Sequence, residues 1–322
     1  MKKIVVYILI ATVLISLTGC HTAQSLPPQI PSTSTTTSTT VVSTTTTEPT
    51  PTFYIAPSEL KLVDKNLYTY GEVDKALANQ LEQTLQGYDK NISIACWSTD
   101  GSKAILYNTK QTYFSACTIK MPLMYAYCQE IEKGNINLRT LHTYEPRHWH
   151  QGSGDIRYGA YYTQYTTKQL IQKSINISDN VAYKMLLEAY GKKPLEQLSK
   201  DLNCKSLNLS PGGKWAKAIN ARDLAVVWSE IYNYFNTNSS TAKMLKDSCT
   251  NTKFNYGTKA ITEYDYSHKS GDNFGEYRAY HDAGIVWSDV PYIYVVFTRS
   301  EGTTYDCNVV DTSMKLVKEI MT

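Results

Sequence analysis

The chain has 322 residues, 42% of them hydrophobic, and a net charge of +3 spread without a dense basic run. Nothing in that balance points to nucleic acid, and the lysine pairs read as solvated helix faces. Seven cysteines occur with no C-x-x-C among them, which argues against a redox dithiol or a zinc ribbon and leaves any disulfide pairing unreadable.

Lys2 and Lys3 precede an apolar run over residues 4–17, too short and wrongly flanked for a stop-transfer span, so the N-terminus reads as an export signal. The run ends in Leu17-Thr18-Gly19-Cys20, which resembles a bacterial lipoprotein lipobox. That resemblance implies cleavage before Cys20, lipidation of Cys20, and an extracytoplasmic protein tied to the cell membrane by its lipid. An uncleaved anchor with an incidental cysteine is the alternative. Residues 1–19 are then the signal peptide and 20–52 the lipidated cysteine and a linker. From 32 to 47 every residue but Val41 and Val42 is Ser or Thr, a composition that cannot bury a core and stays disordered. Stretched out, the linker spans about 100 Å, a tether suited to work inside a cell wall. Residues 53–322 amount to one globular domain, expected to be a monomer.

Within that domain, Val73, Leu77, Leu81 and Leu85 recur every four residues, giving a helix over 70–86 that Gly87 ends. Ile92, Ile94 and Cys96 alternate as a strand, and Asp100-Gly101 turns it into a second one over 104–107. A strand-like stretch to Phe114 leads into a helix over 118–133, where Pro122 still falls within the first turns. Thr166 and Gln169 form a capping box for a helix reaching Asn176. Another helix runs over 180–190 to Gly191, and Asn220 caps a further one with Asp223 in its first turn. Three strand-like runs follow, over 264–270, 277–287 and 291–299, and a last helix over 312–321. Strands at both ends with helices between imply an α/β class of the α+β sandwich type: one antiparallel sheet closed by both termini, plus an all-helical subdomain.

Three motifs stand out in this order. Cys117-Thr118-Ile119-Lys120 follows a strand and opens a helix; Ser178-Asp179-Asn180 comes 61 residues after Cys117; Lys269-Ser270-Gly271 precedes the last strands. Each alone is unremarkable: S-D-N can simply cap a helix, and K-S-G alone is a turn. Together they resemble the signature of the class A β-lactamases and the penicillin-binding D-alanyl-D-alanine peptidases, S-x-x-K, then S-D-N, then K-T-G or K-S-G. The resemblance runs from about residue 70 to the C-terminus and implies a five-stranded antiparallel sheet packed by N- and C-terminal helices beside a helical subdomain. The chain departs from the pattern at the nucleophile, which is Cys117 rather than serine.

Acyl transfer from an amide needs a nucleophile, a base, an oxyanion hole and a proton donor for the leaving nitrogen. Cys117 and Lys120 are three apart at a helix start, so their side chains share a face, and the helix terminus and the ammonium both favour a thiolate. The resemblance assigns the remaining roles. Lys120 is base or charge partner, Ser178 relays a proton to the leaving nitrogen, and Asn180 binds the substrate's side-chain amide. Lys269 and Ser270 hold the substrate carboxylate, Gly271 lets the strand approach, and the backbone N–H groups of Cys117 and Asp272 form the oxyanion hole. The implied partner is a β-lactam or a D-alanyl peptide of peptidoglycan. No cofactor is assigned, and no metal, because the histidines at 142, 148 and 150 lack a suitably spaced acidic or cysteine ligand. A pseudoenzyme that binds without turnover is the second reading.

The second departure concerns deacylation. Class A β-lactamases carry a water-activating glutamate on a loop after the S-D-N helices. The matching stretch here, 202–222, contains no Asp or Glu, and Glu188 and Glu196 lie on helices before it. Slow turnover is the expectation, tempered by the ease with which thioesters hydrolyse. A histidine at 148, 150, 268 or 281 is an alternative base, with a surface or hydrogen-bonded histidine as the plainer reading of each. Strand alternation turns His268 away from the face of Lys269. Ser115, five residues before Lys120, is the alternative nucleophile. Tyr158, Tyr161, Tyr162 and Tyr165 crowd near the cleft, as stacking platforms or as ordinary core and surface.

Overall fold

The computed structural model describes residues 60–322 apart from 64–65, 89–90, 211–212, 217, 251 and 258. The export signal, Cys20 and the Ser/Thr-rich linker lie outside the described residues. The N-terminal part of the domain holds β1 (Lys61–Leu62), β2 (Leu67–Tyr70), α1 (Lys75–Gln86), β3 (Ile92–Ser98), β4 (Ala104–Tyr107) and β5 (Thr112–Tyr113). A 3₁₀ turn over Ala116–Ile119 leads into α2 (Lys120–Glu132). The helical region continues with β6 (Leu141–Thr143), β7 (Gln164–Thr166), α3 (Thr167–Asn176), α4 (Asn180–Tyr190), α5 (Lys193–Asp201), β8 (Ile219–Asn220), α6 (Ala221–Asn236) and α7 (Ser240–Thr250). The chain then returns through β9 (Asp265–Asn273), β10 (Ala279–Trp287), β11 (Tyr292–Thr298) and α8 (Thr304–Met321).

The main sheet is antiparallel throughout, in the order β1-β2-β4-β3-β11-β10-β9. The five expected strands are all present, and two short ones extend the edge beyond β4. Alternation sorts each strand between two cores. Ile94 and Cys96 of β3 face Leu81, Val310 and Val317 of α1 and α8, while Ala95 and Trp97 face the helical region. Sheets covered on both faces lose the polar alternation of half-exposed strands, and all seven residues of β3 are buried. Each fully buried Leu, Ile or Val contributes roughly 1.5–3 kcal/mol of transfer free energy. Helix α2 is buried nearly all round, from Lys120 to Cys128, as a helix at the centre of a bundle must be.

Several boundaries differ from the sequence reading. Tyr70 ends β2 rather than starting a helix, because Asp74 caps α1, its Oδ1 accepting from the N–H groups of Ala76 and Leu77. Helix α8 starts at Thr304, earlier than its apolar spacing indicates, because Thr303 and Asp306 form a capping box. The expected capping residues Thr166 and Asn220 do cap α3 and α6. At the other end of the sheet β9 is the edge strand, and its register with β10 pairs Lys269 with Ala283 and Gly271 with His281. That edge lies against the 3₁₀ turn that begins α2.

Candidate active site

The backbone around Cys117 is shaped before any side chain acts. Ala116 has φ of +44°, a left-handed conformation that costs a non-glycine residue about 1–2 kcal/mol and sharpens the turn that presents Cys117. Gly271 meets this turn across the cleft: a Cβ there would come 2.6 Å from the Cys117 nitrogen and 2.9 Å from that of Thr118. Only glycine lets β9 approach so closely. Ser115, just before the turn, is fully buried, receiving the Ala216 N–H on Oγ at 3.1 Å and giving its own N–H to the Ala216 carbonyl.

The S-D-N segment is held just as firmly. Asp179 is fully buried, and its carboxylate caps α4 by accepting from Val181 and Ala182 and holds the preceding loop by accepting from Asp155 and Ile156. A Cβ on Gly154 would sit 2.2 Å from Asp179 Cγ, so the loop needs glycine there. Pinned from both sides, Ser178 takes φ of +56° and turns its carbonyl and hydroxyl toward Lys120.

Lys120 and Lys269 are 0% and 1% exposed, and a buried ammonium group is costly unless acceptors or opposite charges compensate it. Lys120 Nζ donates to the Ser178 carbonyl at 2.6 Å, to Asn180 Oδ1 at 2.7 Å and to Ser178 Oγ at 3.4 Å. Asn180 Oδ1 also lies 3.9 Å from the Cys117 sulfur, and its Nδ2 donates to the Gln151 carbonyl. Lys269 Nζ donates to the Ser270 carbonyl at 2.7 Å, and the Ser270 hydroxyl donates to the Phe254 carbonyl at 2.9 Å. Cys117 is partly exposed, open to an incoming molecule.

Burial opposes ionisation of the Cys117 thiol, but the ammonium charges of Lys120 and Lys269 and the Ser178 hydroxyl outweigh it, so the thiol falls below its ordinary value. Burial pushes Lys269 down to about 8, helped by Lys120 and opposed by Cys117. By contrast burial carries the Cys96, Cys128, Cys204 and Cys249 thiols upward. Cys117 is therefore set apart by charge as well as by motif.

The sequence-predicted residues Cys117, Lys120, Ser178, Asn180, Lys269 and Gly271 thus converge from three segments, with Ser270 and Asp272 alternating with Lys269 and Gly271 along β9. The histidines are otherwise engaged. His281 donates from Nε2 to the Phe114 carbonyl and accepts the Thr298 N–H on Nδ1, and burial pushes it down to about 4. His268 pairs with Asp282, and His148 with the Glu145 N–H and with Glu188. Glu188 also binds Arg147, and Glu196 binds Lys192. His150 stands edge-on to Trp215 at 6.4 Å.

Trp215 and Tyr183 are site residues that motif reading does not single out. Their rings stack at 5.2 Å with an interplanar angle of 12°, and Lys120 Nζ lies 5.5 and 5.6 Å from their centres. Aromatic faces attract a buried cation. The 202–222 loop therefore presents an indole to Lys120, not a carboxylate to water. Its sequence signal is only the lack of any Asp or Glu around Trp215.

Residues 76–320 match the family model described as the beta-lactamase enzyme family. Among solved structures, the chain is similar to PBP-A, at 20% identity and a TM-score of 0.68 over 77% of this chain and 97% of that one. It is similar to the β-lactamase of Sphaerobacter thermophilus, at 16% identity and 0.68 over 77% and 97%. It is also similar to an ancestral class A β-lactamase, at 18% identity and 0.62 over 76% and 99%. A further PBP-A structure, of a variant, is an acyl-enzyme complex with penicillin G, at 21% identity and 0.67 over 76% and 95%. No curated protein matches the chain.

Proposed function

We propose that this chain, which belongs to the β-lactamase enzyme family, is an extracytoplasmic acyl-transfer hydrolase acting on β-lactams or D-alanyl peptides through a thioester on Cys117. The observation that carries the reading is the convergence of Cys117, Lys120, Ser178, Asn180 and Lys269 around a thiol whose ionisation two buried ammonium groups favour.

The substrate carboxylate meets Lys269, a charge-assisted contact in a site screened from water. The Cys117 sulfur attacks the amide carbon, a C–S bond forms, and the C–N bond of the lactam or peptide breaks. The leaving nitrogen takes its proton from the Ser178 hydroxyl, which Lys120 resupplies across their hydrogen bond. Lys120 spends its protons on three acceptors, so its chief service before attack is charge. A thiolate needs no stronger base. The oxyanion of the intermediate falls to the Cys117 and Asp272 N–H groups. Water then adds to the thioester, giving the acid and the free thiol.

This last step is slow in our reading, because Trp215 stands where a loop carboxylate would activate water. The same observation favours a second reading, a penicillin- or peptidoglycan-binding protein without turnover. The enzyme we propose is tethered to the membrane through lipidated Cys20, works as a monomer and has no nucleic-acid partner. A chromogenic cephalosporin separates the readings. The first gives a stoichiometric burst followed by slow turnover, with hydroxylamine speeding release. Binding with no burst and no adduct supports the second. Rapid hydrolysis with no accumulated adduct would contradict slow deacylation.

A further inference from the structure

The face of β9 opposite Lys269 carries a second arrangement, distinct from the nucleophile cluster. His268, Ser270 and Asp272 alternate with Lys269 and Gly271, and all three bond to the loop over residues 252–257. His268 Nε2 and the Thr252 hydroxyl are hydrogen-bonded, the Phe254 carbonyl takes the Ser270 hydroxyl, and the Tyr256 hydroxyl donates to Asp272 Oδ1 at 2.8 Å. Beneath the loop lie His268 and Asp282, 1% and 0% exposed, with Nδ1 donating to Oδ1 at 2.8 Å. The other carboxylate oxygen of Asp282 accepts the N–H groups of Tyr256 and Gly257 at 3.1 and 2.7 Å. A Cβ on Gly257 would lie 2.9 Å from Asp282 Cβ, so glycine is what allows the loop to sit this low.

A buried, hydrogen-bonded polar pair is rarely kept for stability, since an apolar pair of equal volume serves as well. What this one fixes is the backbone of Tyr256, and through it the place of Asp272. That placement matters because Asp272 is an exposed carboxylate three residues from Lys269. Its charge reaches the active site, acting against ionisation of Cys117 and in favour of charge on Lys269. Turned toward the cleft, it would oppose an incoming carboxylate and offset the ammonium meant to receive it.

We propose that Tyr256, held by the buried His268–Asp282 pair, is a positioning residue that ties Asp272 away from the carboxylate subsite and so sets its preference for anionic acyl donors. The inference rests on the reading of Lys269 as the carboxylate anchor. Tyr256 stacks on Tyr280 at 4.5 Å with an interplanar angle of 26°. Tyr256→Phe keeps that ring and loses only the tether. Releasing Asp272 then weakens binding of acids and leaves binding of neutral analogues alone.

The test is equilibrium binding to a Cys117→Ala background, where no turnover is needed. An N-acyl-D-alanyl-D-alanine and its C-terminal amide are compared by calorimetry. The parent prefers the acid by about tenfold or more, the scale of a hydrogen bond to a charged group. Tyr256→Phe removes most of that preference, and Tyr256→Phe with Asp272→Asn restores it. Restoration by removing the second charge is an outcome that a merely structural role for Tyr256 does not give. An unchanged preference in Tyr256→Phe, no restoration in the double variant, or no preference in the parent each overturns the proposal. Failure of the acyl-Cys117 reading shows separately, as the absence of any adduct on the unaltered protein.

Discussion

Replacing Lys269 by methionine isolates what its charge contributes, because the side chain is buried and methionine keeps an unbranched stem of similar volume. One Nζ proton is given to the Ser270 carbonyl at 2.7 Å, which leaves two for a ligand carboxylate. Bulk salt screens such a buried contact little. A hydrogen bond to a charged group is worth about 1.5–3 kcal/mol, which becomes about 10- to 150-fold in the second-order rate of acylation. A second loss adds to it at Cys117. Burial opposes the thiolate there and two ammonium groups overcome that cost; with one gone, the thiol rises and its ionised fraction at pH 7 falls. Two reagents separate the effects in stopped-flow measurements. A penicillin, which is anionic, loses both contributions, whereas neutral iodoacetamide loses only the thiolate fraction. A loss below threefold with the penicillin, or equal losses with both reagents, would refute the assignment of Lys269 to the carboxylate.

Other outcomes follow from the same geometry. Lys269 in the free protein is held near 8, chiefly by burial, so its ammonium is present below that pH and lost above it. Cys117 ionises below the ordinary thiol range. Acylation by an anionic donor should therefore rise as the thiol ionises and fall as pH passes 8, and Lys269→Met should abolish the falling limb. A profile that keeps rising beyond pH 9 would contradict this. Trp215→Ala unstacks Tyr183 and opens Lys120 to water. Its steady-state rate should increase relative to its burst in cephalosporin turnover, and an unchanged ratio would show that the indole does not limit water. A chain starting at Phe53 should be soluble and melt at the same midpoint as one starting at His21, since the Ser/Thr-rich linker offers no apolar pattern to pack. A drop of several degrees would mean that the linker docks on the domain.

Residues whose identity is dictated by chemistry at close sequence range were legible. Cys117 and Lys120 lie one turn apart, Asp179 caps the helix that begins at Asn180, and the Thr166–Gln169 box is complete within four residues. The five principal strands announced themselves by alternation or by Val, Ile and Tyr content. What escaped reading depends on distant partners. His281 resembles a candidate base in sequence, yet its Nε2 proton belongs to the Phe114 carbonyl 167 residues away. Trp215 gains its place from Tyr183 and Lys120, and nothing adjacent to it marks that role. Helix α7 is short of long apolar residues, with Met244 and Leu245 its only large aliphatic side chains, so its period is faint and packing against α3 and β9 defines it. The edge strand β1 is only two residues long, too short to carry a pattern, and its neighbour β2 is only four.

An acyl thioester on the Cys117 sulfur is tested most directly by peptide mapping. The protein is incubated with a reactive β-lactam, quenched, digested and analysed by mass spectrometry. An acyl-Cys117 intermediate gives a mass increase equal to the whole β-lactam on the peptide containing Cys117, lost on treatment with hydroxylamine and absent in Cys117→Ala. An adduct on Ser115 or Ser178, or an adduct that survives in Cys117→Ala, would contradict it.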